Sequence, residues 1–447
     1  MTFSSISFIY LFLPLAIILF RLTPPHRRTL CLSLISWGYY LLASVPAALI
    51  LAANCLLDFL LLSVLELYLS RYPDRSRGYM AFSAKAVLVQ MLVMLYSHWN
   101  PAVLLGGFVY TATLIGYLWD HSRGKAGAFR SFWDYALFTT FFAKGYLGPV
   151  VRYDRFVPQF SQLRSSATLI SRGAVQFVTG LAKKVLIADG AVILYQELAS
   201  LPVEELTFFS GWMLVFAAAM AIFFTISAYG DMARGLCAIF SLEVPRVIYY
   251  PLQAKSVVEC ISRINMPLYD LVVEIVSGSA ERIRQLRRYR HADTRELAAV
   301  LAGVIVVGIW MQPSVSVLLW AGFLFLMVLA ERYLYFWLFR YIPGLLQSAV
   351  TFGLFMFSLA PLVLPGLSNT GDLISVLLGF SAQRMISDET SYYLASNYLV
   401  ILLSLLFFTS LADRLTGLFA RKFPVASEWM MAVFNGSLLI LTTALLL

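Results

Sequence analysis

The chain has 447 residues, 60% of them hydrophobic and only 13% charged, with a mean hydropathy of +0.79. Such a composition cannot clothe a water-soluble core in polar surface, which excludes a soluble enzyme and leaves no separate aqueous domain. The formal net charge of +9 is spread in clusters between apolar runs, as in the loops of a membrane protein.

Apolar runs fall at about residues 4 to 20, 30 to 52, 56 to 69, 81 to 97, 101 to 119, 133 to 148, 173 to 198, 207 to 228, 297 to 311, 314 to 337, 345 to 365, 392 to 412 and 428 to 447. With roughly 20 residues needed per span, they predict about eleven to thirteen membrane segments in one integral domain over 1–447. The first run lacks a basic flank and a cleavage site, so it is expected to be retained rather than removed as a signal peptide. Basic clusters occur at Arg21, Arg27 and Arg28, at Arg71, Arg75 and Arg77, at Arg123, Lys125 and Arg130, and at Arg282, Arg284, Arg287, Arg288, Arg290 and Arg295. The turns expected near Asn54 and near Ser97 to Pro101 carry no Lys or Arg, so alternation puts the N-terminus outside and the basic loops, residues 121 to 130 among them, on the cytoplasmic side. For the arginine run, contact of Arg287 and Arg288 with anionic lipid or a partner protein is the expectation, in preference to nucleic acid.

The run 133 to 148 breaks the alternation. If it crossed the bilayer, Arg152, Arg155, Arg164 and Arg172 would land outside, and Gly145, Gly148 and Pro149 interrupt it. A segment that dips in and returns resolves both problems. Irregular backbone at membrane depth requires surrounding protein or a water-filled cavity, so a central funnel is expected.

Cys31, Cys55, Cys237 and Cys260 are scattered without metal spacing and read as buried small hydrophobes. His26, His98, His121 and His291 lie in or beside loops, with no histidine four residues away, so neither a metal nor a cofactor is predicted. The pair Gly106-Gly107 reads as close helix packing rather than a phosphate cradle.

The string from Tyr146 to Phe160, with Gly148-Pro149, Arg152-Tyr153-Asp154-Arg155 and Gln159, suits a rigid turn followed by a charged interfacial segment. It also resembles the GP-[IV]-x-R-[YF]-x-x-[FL]-x-x-Q motif of the membrane-bound O-acyltransferases, in the bacterial branch that serves alginate O-acetylation and teichoic acid D-alanylation. Three further strings resemble the same family in the same order: Thr2-Phe3-Ser4-Ser5, Gly180 to Asp189 with Lys183-Lys184, and Ser227 to Leu236 with Tyr229 and Asp231. The resemblance runs to Glu331-Arg332 and is strongest over about residues 130 to 335. It implies an all-α polytopic fold, a ring of about 11 to 13 tilted or re-entrant helices around a central funnel where donor and acceptor meet.

Where the family carries its chemistry this chain departs from it. The tryptophan- and histidine-bearing string of active members corresponds to Glu259-Cys260-Ile261-Ser262-Arg263-Ile264-Asn265, with isoleucines for tryptophans and Asn265 for histidine. Asparagine occurs there in other members. The second histidine element corresponds to Gly308-Ile309-Trp310-Met311-Gln312, so the general base falls on Met311, whose thioether takes no proton at neutral pH. Asp231, Glu259 and Glu274 are the nearest carboxylates, each with a structural role open to it, and Cys260 has no histidine in its segment to activate it.

The expected function is therefore that of a noncatalytic relative, a subunit or conduit with a protein partner in modification or export of an exopolysaccharide or other envelope polymer. An active O-acyltransferase with a rebuilt site is the alternative, and a transporter or flippase using the same funnel a third. The charge pattern makes one topological prediction: a cysteine placed at Asp154 or Arg164 stays unlabelled by a membrane-impermeant maleimide in intact cells and is labelled after lysis. Labelling from outside would overturn the re-entrant assignment of 133 to 148.

Overall fold

The computed structural model describes residues 1–71, 90, 106–145, 147–278, 294–311, 314–335, 341–364, 366–380 and 384–447. Arg287, Arg288 and Gln312 lie outside the described residues. Among those described there are helices and no strand, and the chain is an all-α polytopic membrane protein. By length and apolarity Val45–Leu67, Phe208–Ile239 and Val315–Tyr333 can cross a membrane, and Asp388–Ser396 with Tyr398–Phe407, bent by 62°, form a broken fourth. Phe8–Leu22, Glu296–Met311, Gly344–Ser358 and Met430–Leu446 are shorter apolar helices.

The chain divides into two compact units, one of residues 1–180 and 229–246 and one of 181–228 and 247–445. The helix Phe208–Ile239 contributes its first part to the second unit and its last part to the first.

In the first unit the sequence reading needs one correction. Asn54 is not in a turn: it lies inside the helix Val45–Arg71, where its amide donates to the Ile50 carbonyl at 3.0 Å. The break comes at Ser44, extended at φ −167°, between Arg28–Ala43 and Val45–Arg71. Pro46 explains the position, since a proline is tolerated in the first helical turn and nowhere deeper. Ser44 and its neighbours carry no basic residue either, so the charge alternation survives the shift. Val45–Arg71 turns Leu49, Leu56, Leu60 and Leu67 outward and keeps Ala47, Ala48, Cys55 and Asp58 buried, the division expected of a helix with one lipid-facing side.

The run 133 to 148 is not one helix. Phe132–Thr140 spans nine residues, about 13 Å against the roughly 30 Å of a hydrocarbon core. The chain breaks at Phe141 and resumes as Phe142–Gly145. The Phe142 N–H freed by the break is taken by the Ser36 hydroxyl at 3.2 Å, and the Ser33 hydroxyl donates to the Trp133 carbonyl at 3.0 Å, which pins the interrupted segment to Arg28–Ala43. Around it Phe8, Phe12, Tyr39, Phe142 and Phe240 form an aromatic core with neighbouring ring centroids 5.5 to 6.3 Å apart, among them Phe8–Tyr39 at 5.8 Å, Phe12–Phe142 at 5.5 Å, Phe142–Phe240 at 5.9 Å and Phe8–Phe142 at 6.3 Å.

In the second unit Phe223, Phe224, Phe352, Phe355 and Phe408 form the corresponding core, with Phe224 and Phe408 centroids 4.8 Å apart. The helix Thr294–Met311 packs on Met266–Ser277 through Gly303, where a Cβ would meet the Tyr269 ring, and on Val315–Ala330 through Gly308, where a Cβ would meet Val317 and Trp320. Trp320 is fully buried and donates from its indole to the Ser358 hydroxyl at 3.3 Å.

The tightest helix crossing in the first unit is at Gly173 and Gly235, where a Cβ on either would enter the backbone of the other's helix. Gly173→Ala and Gly235→Ala should each destabilise the protein by about 1–3 kcal/mol through overpacking. A lowered thermal midpoint in detergent checks this; an unchanged midpoint would show that the helices can part without cost.

Candidate functional site

The turn of the first resemblance motif is built by backbone sterics. A Cβ at Gly148 would collide with the main chain of Lys144, so only glycine lets the segment after Phe142–Gly145 fold back, and Pro149 holds the reversal rigid. Three residues on, the Arg152 guanidinium forms a two-pronged pair with Asp120, whose carboxylate is almost wholly buried at the end of Gly107–Ser122, Nε to Oδ2 being 2.8 Å. Asp154, two residues after Arg152, is not the partner in that bidentate pair. Tyr153 donates to the Ala128 carbonyl at 3.3 Å. Tyr229 is buried with its ring 6.4 Å from Phe3, and Asp231 pairs with Arg234 one turn on, at 3.7 Å.

The second motif region, in the second unit, is a clamp on irregular backbone. The segment 247–250 runs beside 263–266: the Tyr249 N–H donates to the Arg263 carbonyl at 3.1 Å and the Met266 N–H to the Val247 carbonyl at 3.0 Å. Tyr250 is forced to φ +38°, a conformation that L residues rarely adopt, and its carbonyl accepts from the Arg263 guanidinium at 2.7 Å. The other side of that guanidinium meets Glu259 at 2.6 Å. Glu259 in turn accepts the Lys255 N–H at 2.8 Å, while the Ser256 hydroxyl accepts the Glu259 N–H at 3.0 Å, a capping box at the start of Val257–Ser262. The next orphan donor, the Val257 N–H, is taken by Glu331 at 2.9 Å. Cys260 is fully buried, and burial pushes its thiol up, away from the thiolate that a nucleophile would need.

Asn265 stands where the resemblance puts the first histidine. It is 1% exposed and its Oδ1 accepts the Leu268 N–H at 3.4 Å as N-cap of Met266–Ser277. Asparagine is among the best residues for that task. Met311, at the second histidine position, is the half-buried last residue of Thr294–Met311, next to buried Trp310.

Two carboxylates of the motif region, Glu259 and Glu331, are engaged away from Met311. Glu259 is shared between Arg263 and the Lys255 N–H. Glu331 is buried, but Gly308 meets Val317 and Trp320, and eleven residues of helix then separate Trp320 from Glu331, about 16 Å along the axis. Glu331 therefore lies far from the Met311 turn. Of the described histidines, His121 is paired with Glu66 at 3.0 Å and with the Ala126 carbonyl at 2.9 Å. Among the described residues no group of three His, Cys, Asp or Glu side chains could hold a metal ion. The arrangement fixes irregular backbone through Glu259, Arg263 and Glu331.

Sequence reasoning missed Asp120, Ser256 and Glu331. The Ser-x-x-Glu spacing of Ser256 and Glu259 was a legible capping signal. Nothing in the sequence joined Asp120 to Arg152 or Glu331 to Val257, because both contacts are long-range.

No protein-family profile matches the chain. Among curated proteins it is similar to the probable alginate O-acetylase of Pseudomonas aeruginosa, with 24% identity over 357 residues, 74% of this chain and 66% of that protein. A probable alginate O-acetylase of Pseudomonas fluorescens is 24% identical over 332 residues, 72% of this chain and 64% of the relative. The peptidoglycan O-acetyltransferase of Helicobacter pylori is 26% identical over 194 residues, 42% of this chain and 35% of that protein. The matches to the two alginate O-acetylases thus span just under two thirds of those relatives' length.

The capping role of Asn265 is directly measurable. Asn265→Ala should cost about 1 kcal/mol of stability, while Asn265→Ser or Asn265→Asp should keep most of it. Thermal unfolding of the three variants in one detergent separates a cap from a residue with no backbone role, for which all three would behave alike.

Proposed function

We propose, for a chain homologous to the bacterial O-acetylases of the membrane-bound O-acyltransferase family, that it works as a noncatalytic subunit or conduit in O-acetylation or export of a cell-envelope polymer, with the multi-pass chain in the cytoplasmic membrane. The observation that carries the reading is Met311. Moving an acyl group from a donor to a hydroxyl requires a group to take the hydroxyl proton, and a thioether cannot. Loss of a base alone would leave room for a substitute. The carboxylates of the motif region, Glu259 and Glu331, are instead committed to Arg263 and to backbone N–H groups.

What supports continued use of the protein is the retained frame. Gly148, Pro149, Arg152, Glu259 and Arg263 hold irregular backbone in place and would serve a scaffold as well as an enzyme. The partner is expected to be a second protein of the same system that supplies the missing chemistry, docking on the cytoplasmic loop that carries Arg287 and Arg288, with anionic lipid headgroups at the same loop.

The test uses the host cell and the O-acetyl content of its envelope polymer. Met311→Ala should leave that content nearly unchanged, with a packing loss below the roughly 2–5 kcal/mol of a fully buried methionine, because Met311 is half-buried. Met311→His should not create activity, because the tryptophans that would support the imidazole are isoleucines here. A stably expressed Met311→Ala protein that abolishes acetylation would contradict the noncatalytic reading in favour of a rebuilt enzyme.

A further inference from the structure

We propose that the helix Leu411–Lys422 lies flat on an anionic phospholipid leaflet and, through Ser410, ties that surface to the loop of Tyr249 to Gln253. The helix has twelve residues, about 18 Å, too short to span, and carries Asp413, Arg414, Arg421 and Lys422. Leu411, Leu415 and Leu418 share one face at spacings of four and three, and they are 51%, 59% and 63% exposed. A leucine row this exposed among the described residues is a poor surface to leave in water. The sequence on either side rules that out: Tyr398–Phe407 before it and Met430–Leu446 after it are apolar helices of a membrane chain. The charge specifies the lipid. Arg414 and Arg421, seven residues apart, lie together along one edge of the leucine face, and Lys422, four residues after Leu418, ends that face in the last turn, three cations against the single Asp413. An amphipathic helix with this division inserts its apolar side at headgroup depth and gains from negative lipid.

The start of the helix is fixed to protein. Phe408 is 1% exposed, with ring centroids 4.8 Å from Phe224 and 5.3 Å from Phe352. Two residues on, the Ser410 hydroxyl accepts from the Gln253 amide at 2.7 Å, while its carbonyl accepts the Arg414 N–H at 3.0 Å and so opens the helix. Gln253 closes the turn that begins at the strained Tyr250, whose carbonyl Arg263 holds. A helix seated on lipid therefore has a short polar connection to the clamp of the candidate site. This inference does not depend on whether the chain transfers acyl groups.

The test places an environment-sensitive fluorophore at Leu418→Cys or at Thr416→Cys, on opposite sides of the helix, in the full-length chain with Cys31→Ser. The chain is assembled into nanodiscs of phosphatidylcholine with or without phosphatidylglycerol, each containing a lipid with a nitroxide just below the headgroup. The label at 418 should be quenched several-fold more than that at 416 when phosphatidylglycerol is present. The triple variant Arg414→Gln, Arg421→Gln, Lys422→Gln should lose most of that difference and show faster amide exchange over 247–253. Equal quenching at 416 and 418, quenching indifferent to phosphatidylglycerol and to the three cations, or a label at 418 shielded by a co-purifying protein before lipid is added would each overturn the lipid assignment. Unchanged exchange over 247–253 in a triple variant that has left the lipid would overturn the tie through Ser410.

Discussion

A broken helix in a membrane leaves N–H and C=O groups that water cannot reach, each costing several kcal/mol. This chain breaks its helices repeatedly, and its architecture depends on how the breaks are closed. The Ser36 hydroxyl takes the Phe142 N–H, the Trp212 indole reaches the Leu377 carbonyl at 3.1 Å, and the Tyr195 hydroxyl reaches the Val363 carbonyl at 2.9 Å. Arg263 holds the carbonyl of Tyr250, and Asn265 caps the helix that follows. The first three repairs join elements more than a hundred residues apart, so satisfying the backbone there also fixes the tertiary packing, while the last two are local.

The same constraint explains which motif residues persist. Gly148 permits a reversal, Arg152 ties that reversal to Asp120, and Glu259, Arg263 and Glu331 complete the irregular stretch from Tyr249 to Ser262. None of these jobs involves a substrate. Asn265 accepts a backbone N–H through a side-chain oxygen, a task asparagine performs well. Met311 lies at a helix end where a thioether suffices for packing. A chain of this kind can lose proton transfer while its frame stays intact, because frame and chemistry rest on different atoms.

The apolar runs at 207 to 228 and 314 to 337 were legible because lipid demands long uninterrupted apolarity, and the structure places Phe208–Ile239 and Val315–Tyr333 there. The division between Arg28–Ala43 and Val45–Arg71 was misread at Asn54, since a polar residue was weighted above Pro46, although a mid-helix amide can donate to its own preceding turn. Gly148, Pro149 and Met311 were readable as residues; their surroundings were not. Asp120 lies 32 positions from Arg152 and Glu331 74 positions from Val257, separations over which a single sequence holds no pairing signal.

The proposed noncatalytic role requires that no proton acceptor serve the Met311 end of Thr294–Met311. Its most direct measurement is turnover of a radiolabelled acetyl thioester by the purified chain in lipid, with a soluble polysaccharide hydroxyl as acceptor and an alginate O-acetylase as the working control. The account predicts acetyl transfer and thioester hydrolysis no faster than in protein-free vesicles at any pH near neutrality. Saturable transfer that depends on this chain would contradict it.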